Sequence, residues 1–473
     1  MNKQTLINYA IGPVASMLLG FVSIPLITWH FSPEAIATNA LMVTSVALLG
    51  FLMTLALETY YLRHYEQEDH DELLFFCGAI SLFFLTFSLV LFYLISPVTV
   101  SEWFLGSHSL AIEWLVIVTC YAVTSIKFLL CVLRMNDKSF EYSLSQGLNK
   151  GMLVILIGVA ILAGLTQKQW LIVCTLITQI VMVSYLFWIV TKHTEQKLTV
   201  CFPLNKAKTA LLFSLPLMVN GVAMWAMSSI DRFMLNSLST QFELALYSVA
   251  FNFATAATIV YAVFSAAWAP HIFKMIEGDN HNIEEYQRVL RHILHIVIAL
   301  ASLYGLFSWI VVLILPNEYA AVQYILVGCS LVPLITALAG ISTVAIQVTK
   351  KTSKIAFCAG ISLIINILLN QWLIPQYGAV GATIGSGGAV VVYFIAVSQA
   401  AKSEGANLNL THAYCATFIL LLAGAVVALE VAPNWLATTI WLLPLIYVMQ
   451  QNWTLIRNGV KRGYATLTRS YSL

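Results

Sequence analysis

Residues 109–134 read SLAIEWLVIVTCYAVTSIKFLLCVLR, a run in which only Glu113, Lys127 and Arg134 carry charge. A helix rises 1.5 Å per residue, so about twenty apolar residues cross about 30 Å of hydrocarbon. This run is long enough to do so. Its apolar residues do not alternate with period two, which sets aside a strand of a membrane β-barrel. Runs of the same kind recur from end to end. The 473-residue chain is 60% hydrophobic and only 9% charged, where a soluble domain carries about 25% charged residues. Lipid must therefore be the solvent, and the fold class is an all-α polytopic membrane protein of about fourteen transmembrane helices.

The spans are expected at 4–30, 36–62, 73–95, 109–134, 141–165, 168–192, 208–236, 242–270, 286–315, 320–349, 353–374, 378–401, 411–430 and 435–456. Turn-forming residues punctuate them, among them Ser32-Pro33-Glu34, Ser96-Pro97, Pro316-Asn317-Glu318, Pro375-Gln376-Tyr377-Gly378 and Pro433-Asn434. With a cytoplasmic N-terminus, 19 of the 23 basic residues fall in one set of loops and Lys168 alone in the other; Lys127, Lys150 and Arg232 lie inside spans. That asymmetry is what the positive-inside rule requires, and it puts both termini in the cytoplasm. It also supports the helix count, because losing one helix would exchange the side of every later loop. Trp29, Trp103, Trp114, Trp170 and Trp435 near the outer ends, and Trp453 on the inner side, read as interface anchors. The first apolar run is too long for a cleavable leader.

Several function classes are set aside. Net charge is +2 and no basic run interleaves with aromatics, so no nucleic-acid partner is expected. The eight cysteines are scattered without a CxxC, and read as small apolar filler. The histidines form no HExxH, so no metal is expected. No P-loop occurs, so ATP hydrolysis by this chain is not expected. No outer loop exceeds about fifteen residues by the span assignment, too little for a catalytic periplasmic domain. The polar turn Glu277-Gly278-Asp279-Asn280-His281 reads as a solvated connector. The chain reads as a carrier rather than an enzyme, with no cofactor.

The two halves resemble one another. Arg134-Met-Asn-Asp-Lys138 and Gln347-Val-Thr-Lys-Lys351 each join two apolar helices, 213 residues apart, and Pro13 and Pro216 lie early in helices one and seven. Six helices per half is an even number, so the repeat is parallel, as in two-lobed transporters. The expected divisions are an N-lobe of helices 1–6 (residues 1–192), a C-lobe of helices 7–12 (208–402) and two further helices (411–457).

Ser214-Leu-Pro-Leu-Met-Val-Asn220, then Ser229-Ile-Asp-Arg-Phe-Met-Leu235 and Tyr247-Ser-Val-Ala250, resemble the seventh and eighth helices of Wzx-type polysaccharide flippases. Ala267-Trp-Ala-Pro270, Lys350-Lys351-Thr352, Asn366-Ile-Leu-Leu-Asn370, Leu373-Ile-Pro375 and Tyr377-Gly-Ala-Val-Gly-Ala382 continue the likeness, and Ala56-Leu-Glu58 with Tyr61-Leu-Arg63 resembles the end of their second helix. Those flippases belong to the multidrug/oligosaccharidyl-lipid/polysaccharide exporter superfamily. The resemblance implies two six-helix lobes around a central cavity in a bacterial inner membrane. It also implies that an undecaprenyl-pyrophosphate-linked oligosaccharide repeat unit is turned from the cytoplasmic to the periplasmic leaflet, for O-antigen, other lipopolysaccharide or another surface polysaccharide. Implied partners are membrane lipid, a polysaccharide polymerase and a chain-length regulator. A lipid II flippase and a cation-coupled drug antiporter of the same superfamily stay open as alternatives. Gly385-Ser-Gly-Gly388 in helix twelve is read only as allowing close packing.

Charges inside spans carry the residue-level reading, since each costs about 2.5–3.5 kcal/mol at a helix centre and must face a cavity or a partner. Lys127 and Arg134 lie seven apart on one stripe of helix four. Lys127 and Lys150 are expected at similar depth on adjacent helices, and the three together would form a cationic patch open to the cytoplasm. A pyrophosphate needs such a patch to shed its water. Arg232 would receive it nearer the periplasm. Glu58 and Asp231 are candidates for ion coupling, against the plainer readings of a salt bridge from Glu58 to Arg63 or His64 and a structural pair for Asp231. Glu113 is expected at the periplasmic interface.

Overall fold

The computed structural model describes residues 3–65, 69–96, 98–99, 101–102, 109–193, 204–258, 283–349, 351–405, 409–431 and 434–452. The 267–270 motif, the 277–281 turn, Trp103, Trp453, Lys197, Lys274, Lys350 and the basic residues after 452 lie outside them. Fifteen α-helices are described. The first lobe holds α1 (Lys3–His30), α2 (Pro33–Met53), α3 (Leu57–His64), α4 (His70–Ile95), α5 (Leu110–Met135), α6 (Ser139–Leu162) and α7 (Lys168–His193). The second holds α8 (Leu204–Leu238), α9 (Gln241–Ala254), α10 (Ile283–Phe307), α11 (Ile310–Ile314), α12 (Val322–Val348) and α13 (Ser353–Ser403). Helices α14 (Thr411–Ala428) and α15 (Asn434–Gln451) follow.

Eleven of these helices are long and apolar enough to cross a membrane. One, α13, is two spans in one: at Gly378 φ is 53° and ψ −127°, and the chain reverses there. Glycine is needed at that φ. Glu243 of α9 accepts from Ala379 N at 2.7 Å, so a carboxylate caps the second arm. Helix α9 begins the expected eighth span and α15 stands in place of the fourteenth. Two expected spans are interrupted. That at 36–62 breaks between α2 and α3, and that at 286–315 breaks after Phe307.

The ends of the helices define a basic face, which carries most Lys and Arg, and an opposite face. Trp29, Trp114 and Trp435 are exposed at the opposite face. In the first lobe α1 packs along α6, and α5 along α7; in the second α13 packs on α8 and α12. Trp441 of α15, 1% exposed, seats that helix over Gly305 of α10. Two apolar seams join the lobes. Near the opposite face Ile24, Ile36 and Leu41 share a core with Leu244, Tyr247 and Val322, and Trp29 Nε1 donates to Ile314 O at 2.8 Å. Near the basic face α3 and α4 share a core with Ala210 of α8, and Lys206 faces Glu72 at 3.6 Å.

The arms of α13 lie unusually close. A Cβ on Gly381 would stand 2.4 Å from the Leu373 carbonyl oxygen, a backbone atom that cannot swing aside. Gly381→Ala should therefore destabilise by about 1–3 kcal/mol, while Gly360→Ala, which meets nothing within 4 Å, should not; thermal unfolding in detergent checks both. At the basic face Glu404 pairs with Lys354 and, at 2.9 Å, with Lys351. Those ammonium groups hold its carboxyl below the usual carboxylate range. Their stabilisation is complete above the ordinary carboxylate pKa and fades as pH falls through the lowered value. In Glu404→Gln that acid-dependent part of the unfolding profile should vanish.

Candidate functional site

Between the seams lies a cavity of about 440 Å³. Its walls come from both lobes: α1, α2, α6 and α7 on one side, α8 and α9 on the other. Two basic side chains line it, Lys150 and Arg232, and no carboxylate does among the described residues. Lys150 sits about 17 Å from the start of α6 at the helical rise, near mid-membrane, and is open to the cavity. Among the described residues it has no hydrogen-bond or ion-pair partner. Arg232 lies about 9 Å from the end of α8, closer to the opposite face. Its guanidinium is 4.5 Å from the centre of the Phe251 ring, a cation–π seat that aims it without neutralising it. Neutral polar groups complete the wall. They include Asn39, which accepts from Thr175 Oγ1 at 2.9 Å, Ser229, Asn252 and Thr255. Trp225 adds an aromatic face.

The other expected site residues lie elsewhere. The patch of Lys127, Lys150 and Arg134 is not assembled. Arg134 is exposed at the basic-face end of α5, where water solvates it. Lys127 points to α2 and donates to Gly50 O at 3.0 Å, one turn beyond Ala47, the last α2 residue in the cavity wall. Depth along a helix does not fix azimuth, and that is why the three separate. Glu58 forms no salt bridge with Arg63 or His64: Arg63 lies over the Phe213 ring, and His64 Nδ1 contacts Tyr60 O at 3.1 Å. Glu113 is buried, bonded by Tyr93 Oη and, at 2.7 Å, by Ser101 N.

Asp231 and Arg232 are neighbours in sequence and face different surroundings, as the 100° step of a helix dictates. Asp231 is 1% exposed inside the second lobe. It accepts from Tyr247 Oη at 2.7 Å and from Asn370 Nδ2 at 2.6 Å. Asn370 Nδ2 also donates to Asn366 Oδ1 at 2.7 Å. Among the described residues no basic side chain hydrogen-bonds to Asp231, which feels the charge of neighbouring Arg232, and Asn370 Oδ1 and Asn366 Nδ2 have no hydrogen-bond partner. Sequence reasoning assigned no role to Asn366 and Asn370. Their i, i+4 spacing in an apolar run, which puts both amides on one helix face, was the available signal. Replacing Asp231 with Ala would orphan the Tyr247 hydroxyl and one N–H of the Asn370 amide, at about 1–3 kcal/mol each. Asp231→Ala should therefore lower the unfolding temperature well below that of Asp231→Asn, measured on purified protein.

Residues 3–276 match the family described as "Polysaccharide biosynthesis protein". No curated protein sequence matches the chain. Among solved structures, a lipid II flippase MurJ in an inward closed conformation superposes with a TM-score of 0.71 at 15% identity, covering 96% of this chain and 99% of that one. An inward-facing multidrug resistance MATE family transporter of the MOP superfamily gives 0.60 at 15% identity over 86% and 96%. A MOP superfamily transporter from Pyrococcus furiosus gives 0.53 at 15% identity over 85% and 96%. At these identities the likeness is one of fold.

Proposed function

The chain belongs to the polysaccharide biosynthesis protein family, and from that premise we propose that it flips an undecaprenyl-pyrophosphate-linked oligosaccharide from the cytoplasmic to the periplasmic leaflet. The observation that carries this reading is a cavity with two basic side chains and no described carboxylate. A diphosphate must shed water to enter a bundle in hydrocarbon, and only fixed positive charge offsets that loss. Lys150 supplies a mobile point charge near mid-membrane, and Arg232 a planar fork that binds phosphate oxygens in pairs. Their different depths make a path: the diphosphate meets Lys150 first and Arg232 as it moves outward. Amides and hydroxyls such as Asn39, Asn252 and Ser229 match sugar hydroxyls, and Trp225 offers a ring on which a sugar face can stack. A drug-cation antiporter would need the opposite polarity. In the outer leaflet a polysaccharide polymerase and chain-length regulator would take over the product.

Asp231 is the group we assign to coupling. A buried carboxylate whose hydrogen bonds come from neutral groups is open to neutralisation by a proton or a monovalent cation. Exchange of that ion through the Tyr247–Asn370 network would bias the second lobe between two packings.

Expression in a strain lacking its own surface-polysaccharide flippase tests the reading. Hydrogen bonds to charged groups contribute about 1.5–3 kcal/mol, so Lys150→Ala and Arg232→Ala should each cut surface polysaccharide by about ten- to a hundred-fold at normal membrane levels. Normal display by the double variant would reject the cationic site. Rescue of cells depleted of their lipid II flippase would move the substrate to lipid II. Coupling is read separately: Asp231→Asn should make flipping insensitive to collapse of the ion gradient.

A further inference from the structure

Helix α2 breaks inside what the sequence reads as one span, although residues 54–56 (Thr-Leu-Ala) include no helix breaker. Leu55 and Ala56 adopt φ of 50° and 55°, the left-handed region that side chains with a Cβ enter only at a cost. Helix resumes at Leu57. A break within lipid frees backbone carbonyls that must find donors. Other helices supply two. Ser81 Oγ donates to Thr54 O at 3.2 Å, beside Leu57 N at 2.8 Å, and Lys127 Nζ donates to Gly50 O at 3.0 Å, beside Thr54 Oγ1 at 3.0 Å. The ammonium thus sits at the negative pole of α2, 3.8 Å from the centre of the Phe51 ring. Broken helices in carriers use such C-terminal ends to hold a coupling cation. Here the cation is tethered.

Two further observations give the break a purpose. Segment α3, just beyond it, meets the second lobe: the rings of Tyr60 and His64 lie 5.7 and 5.9 Å from Phe213 of α8, and the Arg63 guanidinium lies 4.9 Å from the same ring. Whatever fixes the break therefore fixes where α3 touches α8. Glu58, two residues past the break, acts electrostatically on Lys127. Its Oε2 is buried and has no hydrogen-bond partner among the described residues.

We infer that Lys127 is a positioning residue of the transport cycle: its ammonium latches the break at 54–56, holding α3 against α8, and Glu58 receives it when the lobes part on the basic face. The exchange keeps the ammonium bonded in both states, carbonyl and ring in one and carboxylate in the other. The ammonium is then never left bare, and the exchange gives a partner to the Glu58 oxygen that lacks one in the described state. This role goes beyond the proposed substrate, because Lys127 serves the motion of the lobes while Lys150 and Arg232 serve the head group.

Hydrogen exchange on the full-length protein in lipid nanodiscs, paired with binding of undecaprenyl diphosphate and with surface-polysaccharide display, tests it. Lys127→Met should raise exchange of amides 52–60 by about ten-fold or more. It should lose display and bind undecaprenyl diphosphate within about two-fold of the wild type. Lys127→Arg should restore protection and part of the display. Glu58→Gln should keep the resting protection and slow display. Lys150→Ala should do the converse of Lys127→Met, losing binding with protection intact. Unchanged exchange in Lys127→Met, or a binding loss equal to that of Lys150→Ala, would overturn the latch. Intact binding in Lys150→Ala would instead sink the cationic cavity and leave the latch standing. Should Lys127→Met fail to reach the membrane, Lys127→Gln, which keeps a donor but no charge, is read by the same two outcomes.

Discussion

Hydrocarbon does not solvate charge, and the described interior charges of this bundle are arranged around that constraint. Lys150 and Arg232 open into the cavity between the lobes. Lys127 is held by a carbonyl and a ring. Asp231 is held by a tyrosine hydroxyl and an asparagine amide. Each of these solutions needs a second helix, so the charges also specify which helices must be neighbours.

Close packing makes those meetings possible. The reversal at Gly378 folds α13 back on itself, and a side chain at Gly385 would stand 2.3 Å from Asn370 Oδ1. With larger residues there the arms would separate, and Asn370 would no longer reach Asp231. Interfaces rich in small residues are the usual substitute for a hydrophobic driving force in membranes, where lipid is as apolar as the helices. The glycine-rich stretch 385–388 is thus a support for the polar network across from it.

The cavity is bounded by one seam on each side, and a carrier can open only one at a time without leaking. The two differ in kind. The seam near the opposite face is mainly aliphatic and aromatic core with the Trp29–Ile314 bond. That near the basic face adds an ion pair and edge-on aromatic contacts to Phe213. A contact carried by the eight-residue helix α3 directly after a strained break can shift with that break as one short unit.

The fold class, the run of spans and the asymmetry of basic loops were legible in composition and spacing, because crossing a slab of hydrocarbon imposes a length and a polarity on every segment independently of its neighbours. The intramembrane charges were legible for the same reason. Which of them share a cavity was not. A span assignment gives depth along a helix and leaves rotation about its axis open. Of Lys127 and Lys150, expected together, one is therefore bonded to α2 and the other opens into the cavity, while the side chains of Asp231 and Arg232, adjacent in the chain, point to different surroundings. The break at 54–56 was equally hidden. Thr54, Leu55 and Ala56 are unremarkable in any helix, and to the local bonds from Leu57 N and Thr54 Oγ1 the fold adds Ser81 and Lys127 as donors to the carbonyls at the break. Only tertiary structure brings those donors within hydrogen-bonding distance.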